Sequence, residues 1–100
     1  MIKSNIYIVV DRVDNREFYP LFAQDDSEII QIFARGVEPN SVFWNSSDDF
    51  AISCIGYVEG LDVVASAPRF VATLGEVLKA KKEYFASISK SMEEDKDEND

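Results

Sequence analysis

Histidine is absent from this chain, and cysteine occurs once, as Cys54. Those two facts remove intramolecular disulfides, cysteine–histidine zinc sites and every histidine-based catalytic dyad or triad. Neither a G-x-x-x-x-G-K-S/T run nor G-x-G-x-x-G occurs, which argues against a dedicated phosphate loop. No stretch approaches the roughly 18–20 apolar residues that span a bilayer. The N-terminus lacks the basic region, apolar run and small-residue cleavage site of a signal peptide, so a cytosolic protein without a membrane partner is expected. Positive charge is also scarce, with 10 Lys and Arg against 19 Asp and Glu and a net charge of −9. An acidic chain repels a phosphate backbone at long range, so any nucleic-acid contact must be local.

What is present suffices for one small domain. The chain has 100 residues, 46% of them hydrophobic and 12% aromatic, which is the composition of a folded chain with one modest core. The charge is uneven. Segment 93–100, EEDKDEND, carries −5, leaving −4 for residues 1–92. A single domain over 1–92 followed by a solvated, disordered acidic tail over 93–100 is expected. Cys54 lies in the apolar run FAISCIGYV, where no positive partner would activate a thiolate, and so reads as a buried structural thiol.

NIYIVVDRV alternates, with Ile6, Ile8 and Val10 facing opposite to Tyr7 and Val9. Asp14 and Asn15 suit a hairpin turn. EFYPLFA reads as the return strand, and Pro20, which cannot donate to a ladder, places it at a sheet edge or at a bulge. Asp25 is an N-cap candidate with Glu28 at the capping-box spacing. Ile29, Ile32 and Phe33 form one helical stripe, Arg35 falls in the last turn, and Gly36 suits the C′ position. EPNSVFWNSSDD reads as a long loop, FAISCIGYV as a strand, Glu59–Gly60 as a turn and LDVVA as the next strand. Ser66 and Pro68 have the chemistry of a helix start. Phe70, Leu74, Val77, Leu78, Lys81, Phe85 and Ile88 then track one side of a long second helix, weakened by Gly75. The expected fold is α+β: an antiparallel sheet of about four strands in ββαββα order, with helices packed on one face.

Asp25–Asp26 and Asp48–Asp49 read as cap and turn residues rather than as a metal or catalytic cluster. No catalytic constellation, metal site or cofactor site is expected, and the chain does not read as an enzyme.

Several short pieces keep a recognisable order: Tyr7, Val9 and Asp11; Pro20, Phe22, Ala23 and Asp26; Pro39, Asn40 and Ser41; Asp48, Asp49 and Phe50; Ile55, Gly56 and Tyr57. Over roughly residues 5–70 the chain resembles the small non-structural protein of the Chlamydia-phage-like microviruses, the gokushoviruses. It departs from that pattern where Leu21 precedes Phe22, where NSSDDF leads into the acidic pair, and throughout the region after residue 70. The resemblance implies a non-capsid viral protein made in the cytoplasm of an infected bacterial host. It also implies a role in phage DNA metabolism, as a single-stranded DNA binder or as a switch toward genome synthesis and packaging.

Two binding functions follow as expectations. As a single-stranded DNA binder, the chain would use Tyr7, Tyr19 and Trp44 for base stacking and Arg12, Arg16, Lys79 and Lys82 for phosphates. Core packing for the aromatics, turn charges for the arginines and a solvated helix face for the lysines are the plainer alternatives. As an interaction module, it would recruit or restrain the phage replication initiator or a host replication factor. In either case a homodimer through Phe85 and Ile88, at the far end of the second helix, is expected.

Overall fold

The computed structural model describes residues 3–18 and 20–98, and side chains through Lys90. Tyr19 lies outside the described residues. The chain forms an antiparallel sheet of five strands with three helices. Its strands are β1 (Lys3–Asp11), β2 (Arg16–Glu17), β3 (Leu21–Ala23), β4 (Phe50–Glu59) and β5 (Asp62–Thr73), and its helices are α1 (Asp26–Gly36), α2 (Val42–Asn45) and α3 (Leu74–Glu98).

β1 sits inside the sheet, flanked by β4 on one side and by β2 and β3 on the other. The return strand is broken in two, because Pro20 cannot donate to the ladder. β2 pairs Val10 with Glu17, β3 pairs Asn5 with Ala23, and the register slips by one residue between them. That break makes five strands where the sequence predicts about four. Asn15, at the hairpin turn, has φ 55°, the left-handed conformation that Asn tolerates.

α1 starts where the cap chemistry predicts. The Asp25 carboxylate accepts the Glu28 amide N–H at 2.9 Å, and Asp26 and Glu28 complement the positive helix end. Gly36 is the last helical residue rather than a left-handed C′, and extended Val37 closes the helix with its N–H on the Phe33 carbonyl. The expected long loop holds α2, capped by Ser41, and a single 3₁₀ turn at Ser47–Asp49.

The largest departure from the sequence expectation is at residues 66–73. Ser66, Pro68 and Phe70 belong to β5, and the second long helix begins only at Leu74, with the Thr73 hydroxyl accepting the Glu76 N–H at 3.1 Å. Pro68 is tolerated because β5 is an edge strand whose register shifts there. At the other end, α3 extends to Glu98, so the backbone of acidic residues 93–98 is helical where a disordered tail is expected. Extending a helix already nucleated by packing costs far less than starting one in an isolated acidic run.

The core lies between one sheet face and the helices. Tyr7, Val9, Phe50, Ile52 and Cys54 point toward Ile29 of α1 and toward Leu74 and Leu78 of α3. Burial of Cys54 agrees with a structural thiol. Gly56 bulges β4 against β5 with φ 154°, and a Cβ there would collide with the Val64 carbonyl. At Gly75, at the start of α3, a Cβ would meet the end of the exposed Asp48 side chain. Among the described residues, no helix is long and apolar enough to cross a membrane.

Candidate nucleic-acid interface

Trp44 stands on α2 and is half-buried against α3. The phenyl ring of Phe85 meets it edge-on at 5.9 Å. Lys82 comes from one turn earlier on α3. Its ammonium donates to the Trp44 carbonyl at 2.7 Å and to Ser47 Oγ at 2.8 Å, and lies 5.4 Å from the indole centroid. Lys81 donates to the Val37 carbonyl at 2.7 Å. These two lysines therefore satisfy carbonyls at the ends of α2 and α1, where a positive charge also complements the helix dipole. An ammonium has three N–H donors, so Lys82 keeps one for a further acceptor.

Beside this contact the surface opens into a hollow of about 490 Å³. Its walls are Trp44, Phe85 and Pro39, with Asn40, Asn45, Lys82 and Ser89 between them, and the Asn45 amide donates to the Asn40 carbonyl at 3.3 Å. Asn40, on the rim of the hollow, takes the left-handed conformation that Asn tolerates, with φ 68°. Aromatic wall, amide groups and a fixed cation are the ingredients that accept a flat base with an attached phosphate.

The other residues expected to contact DNA are dispersed. Tyr7 is 0% exposed, so its ring offers no stacking surface. Alternation along β1 reads its face correctly, and that face is the core. Its hydroxyl donates to Asp26 Oδ1 at 2.7 Å and accepts from Asn5 at 3.0 Å, while Arg69 clamps the same carboxylate at 2.7 and 2.9 Å. Burial pushes the Tyr7 phenol up to about 12. The Arg69 hydrogen bonds, helped by Tyr7, hold Asp26 below the usual carboxylate range despite partial desolvation. Arg12 donates to the Asp48 carbonyl and fixes the first hairpin to the 3₁₀ turn. Arg16 is exposed on β2, and Lys79 is exposed on α3. The structure thus brings together Trp44, Lys82 and Phe85, the last of them expected at a dimer interface instead. Ile88 is also exposed, one turn further on.

Asn40, Asn45 and Ser89 are residues that sequence reasoning passed over. The polar run around Asn40 is a turn signal, and nothing local shows that α3 folds back beside it. Among the described residues, no group of three or more Cys, Asp or Glu side chains is placed to hold a metal ion. The chain matches no protein-family model, no curated protein and no solved structure.

Proposed function

We propose that the protein is a non-enzymatic accessory protein of phage DNA metabolism that binds flexible single-stranded DNA in the Trp44–Phe85 hollow. The observation that carries this reading is the convergence of Trp44, Phe85 and Lys82 around one open hollow that Asn40 and Asn45 also line. Base stacking on an aromatic contributes about 1–3 kcal/mol without sequence preference. Binding of this kind relies little on long-range attraction, which a chain of net charge −9 cannot supply. The phage setting rests on the resemblance over residues 5–70.

The test is an anisotropy titration of a labelled oligothymidylate across a range of salt. Saturable binding with a shallow salt slope supports the reading, because each neutralised phosphate contributes only about −0.7 to that slope. Trp44→Ala should weaken binding and leave the slope unchanged. Absence of binding at low salt overturns it.

A second reading, a module that recruits or restrains a replication protein, draws on a different place. An apolar hollow of about 410 Å³ lies between α1 and α2, lined by Ile32, Phe33, Val37 and Phe43. The acidity of the chain suits a basic protein partner better than a nucleic acid. Retention of a purified replication initiator by the wild-type chain but not by Ile32→Glu, with no oligothymidylate binding, would favour this second reading.

A further inference from the structure

Lys82 differs from the other lysines of α3 in the charges beside it. Residues three and four apart on a helix are neighbours, and opposite charges at that spacing attract. Lys79 has Glu76 three residues before it and Glu83 four residues after it. Lys90 has Glu93 and Glu94 at the same spacings. Lys82 has Leu78, Lys79, Phe85 and Ala86 there, with no acid among them. Lys81 also has no acid at those spacings, but its ammonium is turned to the Val37 carbonyl. Among the described residues that line the Trp44 hollow, Lys82 is the one cation. The Trp44 carbonyl and Ser47 Oγ take two of its three N–H groups. The third can hold one phosphate oxygen.

What surrounds the hollow opposes a second phosphate. A Cβ on Gly75 would touch the Asp48 carboxylate, so that acid stands seven helical residues, or about 10 Å, before Lys82. Ser89 lines the hollow two turns after Lys82, and Glu93 follows one turn later on the same stripe of the α3 backbone. Residues 93–98 carry five acids and one lysine, a charge of −4. Glu38, exposed, precedes the wall residue Pro39. These acids act within the Debye length of dilute buffer, about 30 Å at 0.01 M. A strand running on from Lys82 along α3, in either direction, therefore carries its next phosphates toward negative charge.

We propose that the Trp44 hollow binds a single nucleotide unit, with one base against Trp44 and Phe85 and one phosphate on Lys82. The inference rests on the reading of the hollow as a nucleic-acid site, and it sets the footprint of that site. A hollow of about 490 Å³ falls within the range of pockets for one small ligand, roughly 300–1,000 Å³. A free nucleoside monophosphate and the phosphorylated end of a strand share the required chemistry. An interior phosphodiester does not, because it continues past acids on both sides. Coating a strand is also opposed by repulsion between adjacent copies of net charge −9.

Calorimetric titration in dilute buffer tests the footprint with three ligands: thymidine 5′-monophosphate, a long oligothymidylate with a 5′-phosphate, and the same strand ended in hydroxyls. One chain should bind per monophosphate or per phosphorylated end, and the hydroxyl-ended strand should bind more weakly. Saturation by the monophosphate alone identifies a free nucleotide as the ligand, and saturation by the phosphorylated strand alone identifies a strand end. Lys82→Met should weaken binding about tenfold or more, as loss of a charge-assisted hydrogen bond does. Lys90→Ala should leave it unchanged. Several chains per strand, affinity that rises with strand length, or loss of binding in Lys90→Ala overturns the one-unit footprint and leaves the hollow a DNA site. No binding of any of the three ligands, in a chain whose circular dichroism shows it folded, overturns the DNA reading and the footprint together.

Discussion

The phenol of Tyr7, buried at the centre of β1, donates a 2.7 Å hydrogen bond to the carboxylate of Asp26, the first residue of α1. Arg69 of β5 holds that carboxylate from the other side through two hydrogen bonds. One half-buried acid thus joins a central strand, a helix start and an edge strand. Removing it should leave a buried donor without its partner. Asp26→Ala should destabilise the fold by about 1–3 kcal/mol, measured as a lowered urea midpoint. Tyr7→Phe, which removes the hydroxyl and keeps the packing, should cost only about 0.5–1.5 kcal/mol.

The same cluster shapes the pH profile of stability. Asp26 is held below its ordinary value of 3.8, so the unfolded chain takes up a proton before the folded one does. Its contribution is present above pH 3.8 and is lost as pH falls through the depressed folded value. Tyr7 acts at the other end. Its phenol is raised from 10.0 to about 12, so its contribution is complete below pH 10 and declines as pH rises toward 12. Denaturant midpoints across pH should show both limbs, and Tyr7→Phe should flatten the alkaline one.

Asp25 is the N-cap of α1. Asp25→Ala should cost about 0.5–2 kcal/mol in denaturant melts, and DNA affinity should not change, because Asp25 is outside the Trp44 hollow.

Gly75→Ala gains helix propensity, and its new Cβ meets only the end of the exposed Asp48 side chain, which can swing aside. The change should therefore be neutral or stabilising by up to about 1 kcal/mol, and Asp48→Ala in the same chain should uncover whatever part of that gain the displaced carboxylate offsets. The double-mutant cycle in thermal melts reads that coupling directly.

Legibility in the sequence followed the range of the physics. The Asp25 cap, the Asn15 turn and the two faces of β1 are set by neighbours within a few residues, and reading them locally suffices. Ser66 and Pro68 misled, because cap chemistry looks the same on a bulged edge strand. What decides the matter is the pairing of 62–73 with 50–59, a contact that no short window contains. Tyr7 could be placed on a face, but the helix that buries that face and the Asp26 that meets its hydroxyl come from elsewhere. Lys82 and Trp44 were both singled out as binding candidates, yet their hydrogen bond across 38 residues was not foreseeable from either. Phe85 read as apolar overhang, and the α2 turn that gives it an aromatic neighbour read as loop.

Trp44 is the only tryptophan in the chain, so its fluorescence reports on the proposed stacking site alone. Titration with unlabelled oligothymidylate at low salt is the most direct test of the central claim. Stacking predicts saturable quenching of Trp44 emission, with a midpoint that moves only slightly as salt is raised and that weakens when Phe85 is replaced by Ala. Emission that stays unchanged up to high oligonucleotide concentration, in a chain whose circular dichroism shows it folded, would contradict it.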